Sequence, residues 1–194
     1  MRRPTPPTIL LAVLPCLLLG CAEEPEIGVY TTAKPPFTQV AMGQSPMAAR
    51  IAWPVPGSWQ VLGADSIVLD RYQVDAQTQL TVTRLGGTLT DNINRWRGQL
   101  LLPPSDGPVN PNELPVLVSE AGAVLVVDLV ANEQDPTSQR IRAGILPDFE
   151  NGQATGQWWF FKMTGPSASI EAQVEAFAAM LSGIRLDSSE QSDG

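Results

Sequence analysis

The stretch "QWWFFKM", Gln157 to Met163, decides the architecture. Successive side chains of a strand point to opposite faces, so Trp158 and Phe160 share one face and Trp159 and Phe161 the other. Both faces are bulky and apolar, and a strand of that kind must be covered on both sides. "AVLVVDLV" (Ala123 to Val130) is nearly as apolar on both faces, with Asp128 as the exception. Two further patterns supply the cover. Leu89, Ile93, Trp96 and Leu100 fall at i, i+4, i+7 and i+11, and Ile170, Val174, Phe177 and Leu181 repeat that spacing. Each set is one stripe of a helix with a single face to bury. Two such helices and a doubly covered sheet predict an α+β fold, arranged as a three-layer α/β/α sandwich.

Working outward, short strands are expected at Ile51–Trp53 and Trp59–Leu62, and longer ones at Ile67–Val74 and Gln79–Leu85. A helix follows from about Thr90 to Leu101, then a proline-rich loop over Pro103–Asn112. Strands at Leu114–Glu120, Val124–Ala131, Arg140–Leu146 and Trp158–Thr164 precede a last helix over Ser169–Ser182. Short loops between consecutive strands predict a largely antiparallel meander. Gly183 stands where a helix C-terminus favours positive φ. The folded domain is expected over residues 51–186, with a polar tail over 187–194.

The beginning of the chain reads differently. "MRRPTPPTILLAVLPCLLLGCAEEP" has a basic start and an apolar run from Ile9 to Leu19. That run is shorter than the roughly 20 residues needed to span a bilayer and has the flanks of an export signal. "LLGC" (Leu18 to Cys21) resembles the bacterial lipobox, in which the cysteine is acylated and becomes the mature N-terminus. Residues 1–20 are therefore expected to be a lipoprotein signal peptide, Cys21 the lipid attachment site, and residues 21–50 a disordered tether holding the domain at the membrane. Cys16 is a weaker alternative, because Pro15 precedes it. Ala22 after the cysteine favours the periplasmic face of the outer membrane in a cell with two membranes.

Several chemistries are excluded. The chain has no histidine, so Ser-His-Asp and Cys-His catalysis and His-ligated metals are ruled out. Its two cysteines, Cys16 and Cys21, lie in or beside the leader, which leaves the domain without a thiol nucleophile or disulfide. The net charge is −8, and losing the leader removes Arg2 and Arg3 and no acid, giving −10. Such a domain repels phosphate backbones, so no nucleic-acid partner is expected. No cofactor and no metal are expected either.

Candidate residues remain. In "NRWRGQLLLPP" (Asn94 to Pro104), Trp96 belongs to the buried stripe and Arg95 to the outer side, where Asp91 four residues earlier offers an ion pair. Arg97 sits on the stripe's shoulder and is the candidate for function. Gly98 means that the helix ends there or that another segment packs closely. Trp53 and Trp59, in a proline-broken stretch, are either an exposed aromatic pair or a first strand closing the sheet edge. Asp128 needs an edge position or a partner such as Arg84, Arg140, Arg142 or Lys162. "DFENG" (Asp148 to Gly152) reads as a solvated turn; a histidine-free hydrolase would need carboxylate, lysine or serine chemistry, for example Asp148 with Glu150. "LGG" (Leu85 to Gly87) reads as a strand-to-helix turn.

The segments "WPVPGSW" (Trp53 to Trp59), "LTVTRLGGTLTDNINRWRGQLLLPP" (Leu80 to Pro104) and "WWFFKMTGP" (Trp158 to Pro166) together resemble a family of uncharacterised secreted bacterial lipoproteins. More loosely, the order of elements is similar to Mog1/PsbP-like α/β/α domains. That resemblance implies a non-catalytic domain that docks to other proteins. The expected function is thus a membrane-anchored interaction domain with an envelope protein as partner, its surface including Arg97, Trp53, Trp59, Asp128 and the Pro103–Asn112 loop. A small-ligand carrier, apolar or glycan, is the alternative, and a histidine-free hydrolase the third reading.

Overall fold

The computed structural model describes residues 51–150 and 152–187. The signal peptide, Cys21 and the tether expected over residues 1–50, and the tail from residue 188, lie outside the described residues. The strands are β1 (Ile51–Ala52), β2 (Gln60–Val61), β3 (Val68–Gln73), β4 (Gln79–Gly86), β5 (Val116–Ser119), β6 (Gly122–Val130), β7 (Gln139–Glu150), β8 (Gln153–Pro166) and β9 (Arg185–Leu186). The helices are α1 (Leu89–Gln99), α2 (Ser167–Glu171) and α3 (Val174–Ser182), with one 3-10 turn at Pro111–Glu113.

Seven strands form a sheet in the order β2-β3-β4-β8-β7-β6-β5, every neighbouring pair antiparallel. β1 and β9 pair separately. The fold is α+β. Two meanders, β2–β3–β4 and β5–β6–β7–β8, meet where β4 lies against β8. The run of consecutive neighbours breaks once, between β4 and β5. There the chain passes through α1, whose apolar stripe must lie across the sheet, and so β5 is delivered to the far edge.

The alternation read from "QWWFFKM" places the core. Trp159, Phe161 and Met163 join Leu80, Val82, Val124 and Val126, and the helical Ile170, Phe177, Met180 and Leu181, in one buried cluster. Phe160 joins Ile141, Ala143 and Ile145, and Leu89, Ile93, Trp96 and Leu100 of α1, in the other. Trp96 meets Phe160 edge to face, with ring centroids 5.4 Å apart and planes at 87°. Glycine at 144 lets α3 sit close to the sheet, because a Cβ there would lie 2.5 Å from Leu181 Cδ2.

Four local readings differ from expectation. The "DFENG" segment is not simply a solvated turn: Asp148 to Glu150 belong to β7, and the β7–β8 ladder continues to Glu150 opposite Gln153. The helix expected over Ser169–Ser182 is two helices, because the hydrogen-bond ladder tightens where Gln173 N–H donates to Ile170 O. Gly183 has φ −86°, so its backbone does not call for glycine. The requirement is steric, since a Cβ there would meet Pro54 Cγ at 2.5 Å. Finally, Arg95 donates to Asn92 Oδ1 and makes no ion pair with Asp91, whose carboxylate accepts from the Thr88 hydroxyl at the start of α1.

Candidate functional site: a groove along the open edge of β6

β5 covers only part of the β6 edge. Its register runs from Val116 opposite Leu125 to Ser119 opposite Gly122, and Val126 N–H then donates to Pro115 O at 2.8 Å. Beyond that point Val127, Asp128 and Leu129 border a cavity of about 480 Å³. Ile93 and Arg97 of α1 form one wall, and Val109, Leu114 and Pro115 of the preceding loop another. Within Val124–Leu129 every residue is buried except Asp128, which is exposed.

The loop wall is fastened to α1 by three side chains. Arg97 Nε–H donates to Pro103 O at 2.6 Å. Asn94 Oδ1 accepts from the Ser105 N–H at 2.9 Å and from its hydroxyl at 3.2 Å. Thr90 Oγ1 accepts from Val109 N–H at 2.9 Å. These bonds occupy backbone groups in a segment with no ladder of its own, so the groove is pre-shaped. Asn94 and Thr90 were not legible as loop anchors from the sequence; their spacing of four, on the side of α1 away from its stripe, was the only signal.

Of the expected interaction residues, Arg97 and Asp128 come together here, both lining the groove. Arg140 clamps the Asp128 carboxylate with two bonds, Nε to Oδ1 at 2.7 Å and Nη2 to Oδ2 at 2.6 Å. Arg142, directly opposite on β7, donates its Nη1 to Oδ2 as well. Arg140 also donates Nη1 to Glu171 Oε2 at 2.7 Å. The Asp128 contact first, and Glu171 after it, hold the Arg140 guanidinium charged against the opposing effect of burial. Arg84 and Lys162, the other partners considered for Asp128, lie elsewhere. Lys162 donates to Gln99 Oε1 at 3.1 Å, and burial followed by the nearby Arg95 charge lowers its pKa.

Trp53 and Trp59 are in neither the groove nor an exposed pair. Trp59 is buried in the core with its Nε1–H on Gln173 Oε1 at 3.3 Å. Trp53 packs edge-on against Phe161, with centroids 5.3 Å apart, and donates Nε1–H to Tyr72 Oη at 3.1 Å. Tyr72 in turn donates to Asp70 Oδ2 at 2.9 Å. Burial, and then the Asp70 contact, push its pKa up to about 12 against the opposing Trp53 bond.

A second cavity, of about 630 Å³, lies beside the β7–β8 hairpin and is lined by Leu146, Asp148, Phe149 and Trp159. The β7–β8 register shifts between Pro147 and Phe149. A proline cannot donate to the ladder, so a bulge is where a central strand tolerates one. Asp148 is only 7% exposed. Burial alone would raise its pKa. Bonds from Arg84, Thr155 and Trp159, with the Arg84 charge, outweigh that and hold it below the ordinary carboxylate range.

No protein-family model and no curated protein matches the chain. Among the described residues, no helix is long and apolar enough to cross a membrane.

Proposed function

We propose that this protein is a membrane-anchored bacterial lipoprotein, held through acylated Cys21, whose domain is a non-catalytic module that docks to an envelope protein. The domain reads as a three-layer α/β/α sandwich of the Mog1/PsbP-like kind. The burial of one core cluster under α1 and of the other under α2 and α3 supports that reading. One observation carries the functional reading: a pre-shaped groove beside an uncovered strand edge, with Arg97 and Asp128 on its walls. Edges of this kind are templates for association unless they are blunted.

The experiment is in-cell crosslinking from photoreactive residues at Val109 and Leu114, with Cys21→Ala as the control for anchoring. A single protein partner, lost on Arg97→Glu and absent from a variant without the Pro103–Asn112 loop, is expected. Capture of the same partner by the loop-deleted protein at unchanged affinity would remove the groove from the proposal.

The Asp148 cavity favours a second reading, a carrier for a small apolar or glycan ligand. Its volume lies within the usual range for small-molecule sites, about 300–1,000 Å³. A ligand bound there would raise the thermal midpoint. A metabolite and glycan screen without such a shift would count against it. A histidine-free hydrolase using Asp148 with Glu150 has less support, because Arg84, Trp159 and Thr155 already donate to the Asp148 carboxylate.

A further inference from the structure

We propose that the open edge of β6 takes up an extended segment of the partner protein as an additional strand. The segment carries apolar side chains at alternate positions and a carboxylate that Arg97 and Arg142 receive. This rests on the protein-docking reading above and gives the partner its chemistry.

In an antiparallel strand the N–H and C=O of one residue point to the same side, and those of the next residue to the other. Val126 N–H donates toward β5 at Pro115 O, whereas Ala131 N–H donates to Gln139 O at the β7 end. The backbone groups of Asp128 and Val130 therefore point away from β7, along the line that β5 has vacated. No bond from the Asp128 N–H to the loop before β5 continues the Val126–Pro115 contact among the described residues. Such donors and acceptors, two residues apart, match the spacing of another polypeptide strand.

Natural edges are commonly guarded by a lysine, a proline or an inward-pointing charge. The one charge on this edge, Asp128, is neutralised by Arg140 and Arg142 and does not oppose an incoming chain. The apolar cavity between Ile93, Leu114 and Leu129 lies beside the strand and would receive alternate side chains.

Charge supplies the carboxylate. Arg97 uses only its Nε within the described residues, and Arg142 only its Nη1. Their remaining N–H groups are oriented donors on a molecule of net charge −8, so the groove is a local cationic point on an acidic surface. A guanidinium pairs best with a planar carboxylate.

The test uses the full-length lipidated protein in detergent micelles. Random peptides of about ten residues, long enough for a strand of usual length, are selected by display on it. The best binder is then synthesised with its amides methylated one at a time. Strand addition requires that methylation at alternate positions abolish binding while the intervening positions tolerate it. It also requires that the peptide slow hydrogen exchange at the Asp128 amide, and that Arg97→Glu weaken binding by about 10-fold or more. Val130→Pro removes an outward N–H without breaking a bond to β7 and should weaken binding similarly; the methylation series stands without it if that variant fails to fold. Methylation without alternation, or no change at the Asp128 amide, overturns strand addition and leaves protein docking to the crosslinking experiment. Binding unaffected by Arg97→Glu overturns the carboxylate.

Discussion

Asp148 Oδ2 accepts a 2.6 Å hydrogen bond from Arg84 Nη2, although the two residues are 64 positions apart in sequence. The pair closes the end of the sheet where β4, β8 and β7 lie side by side, and the Arg84 guanidinium rests 5.9 Å from the Trp159 ring centroid. Trp159 Nε1–H donates to the other carboxylate oxygen at 2.9 Å. Arg84 Nε is buried without a partner, so this arginine depends on Asp148 for its neutralisation.

Asp148→Asn keeps the shape and removes the charge. Its expected cost at neutral pH is at least about 1–3 kcal/mol in denaturant unfolding, the range for leaving a buried hydrogen-bonding group unsatisfied, which is larger when that group is charged. The pH dependence has a definite sign. The folded pKa is depressed, so the stabilisation is complete above the unfolded carboxyl value of about 3.9 and is lost as pH falls through the lower folded value. The gap between wild type and variant should be constant from neutral pH to about 5 and shrink below about 4. A gap that persists unchanged in strong acid would show that the charge of Asp148 is not what holds Arg84.

Gly183 separates two explanations for a glycine after a helix. A positive φ would tolerate asparagine, which visits the left-handed region. The observed φ of −86° and the 2.5 Å approach of Pro54 Cγ to a built Cβ predict instead that any side chain is refused. Gly183→Ala and Gly183→Asn should each cost about 1–3 kcal/mol, as overpacking does. Pro54→Gly in the Gly183→Ala background should recover part of the loss, which a double-mutant cycle would measure.

What the sequence made legible was local and periodic. The first stripe, Leu89, Ile93, Trp96 and Leu100, is buried throughout; of the second, Ile170, Phe177 and Leu181 are buried and Val174 is half-buried, and that stripe is divided between α2 and α3. The two-faced strand "QWWFFKM" lies between β4 and β7 with both faces covered. The strand order was not legible, because nothing in β4 distinguishes β8 from β5 as its neighbour until α1 is laid across the sheet. Asp148 was hidden for a similar reason: "DFENG" has the composition of a turn, and its pairing with Arg84 and Trp159 exists only once β4, β8 and β7 are adjacent. Asp128 was easier. A single carboxylate in an apolar strand demands an edge or a cation, and it has both.

Leu101 carries a cost that can be removed. α1 ends with Leu101 N–H on Gly98 O and Leu102 N–H on Arg97 O, the paired bonds of a left-handed helix stop. The residue in the left-handed conformation is Leu101 itself, at φ 58°. The residue is 94% exposed and gains nothing from packing. Leu101→Gly should therefore stabilise the protein by about 0.5–1 kcal/mol, the relief of a strained non-glycine position offset by unfolded-state entropy. Gly98, at the last turn with open space beside it, offers the complementary change. Gly98→Ala should add a few tenths to about 1 kcal/mol, the helix propensity difference. Loss of stability in either variant would mean that α1 does not stop where it is described.

The Arg95–Trp96–Arg97 triplet divides its roles by position on α1, and the division can be measured. Trp96 is 5% exposed and sits edge-on to Phe160, so Trp96→Ala should cost about 3–5 kcal/mol, as large aromatic truncations in a core do. Arg95 is exposed and bonded only within its own helix, so Arg95→Ala should change stability by about 0.5 kcal/mol or less. Arg97 lies between these extremes. Losing its bond to Pro103 O should cost about 0.5–1.5 kcal/mol, the net worth of one hydrogen bond. If Arg97 also receives the partner, Arg97→Lys should keep most of the stability while losing partner capture, because an ammonium lacks the fork that holds the loop carbonyl and a carboxylate together. Equal loss of stability and capture across Ala and Lys would assign Arg97 to the loop alone.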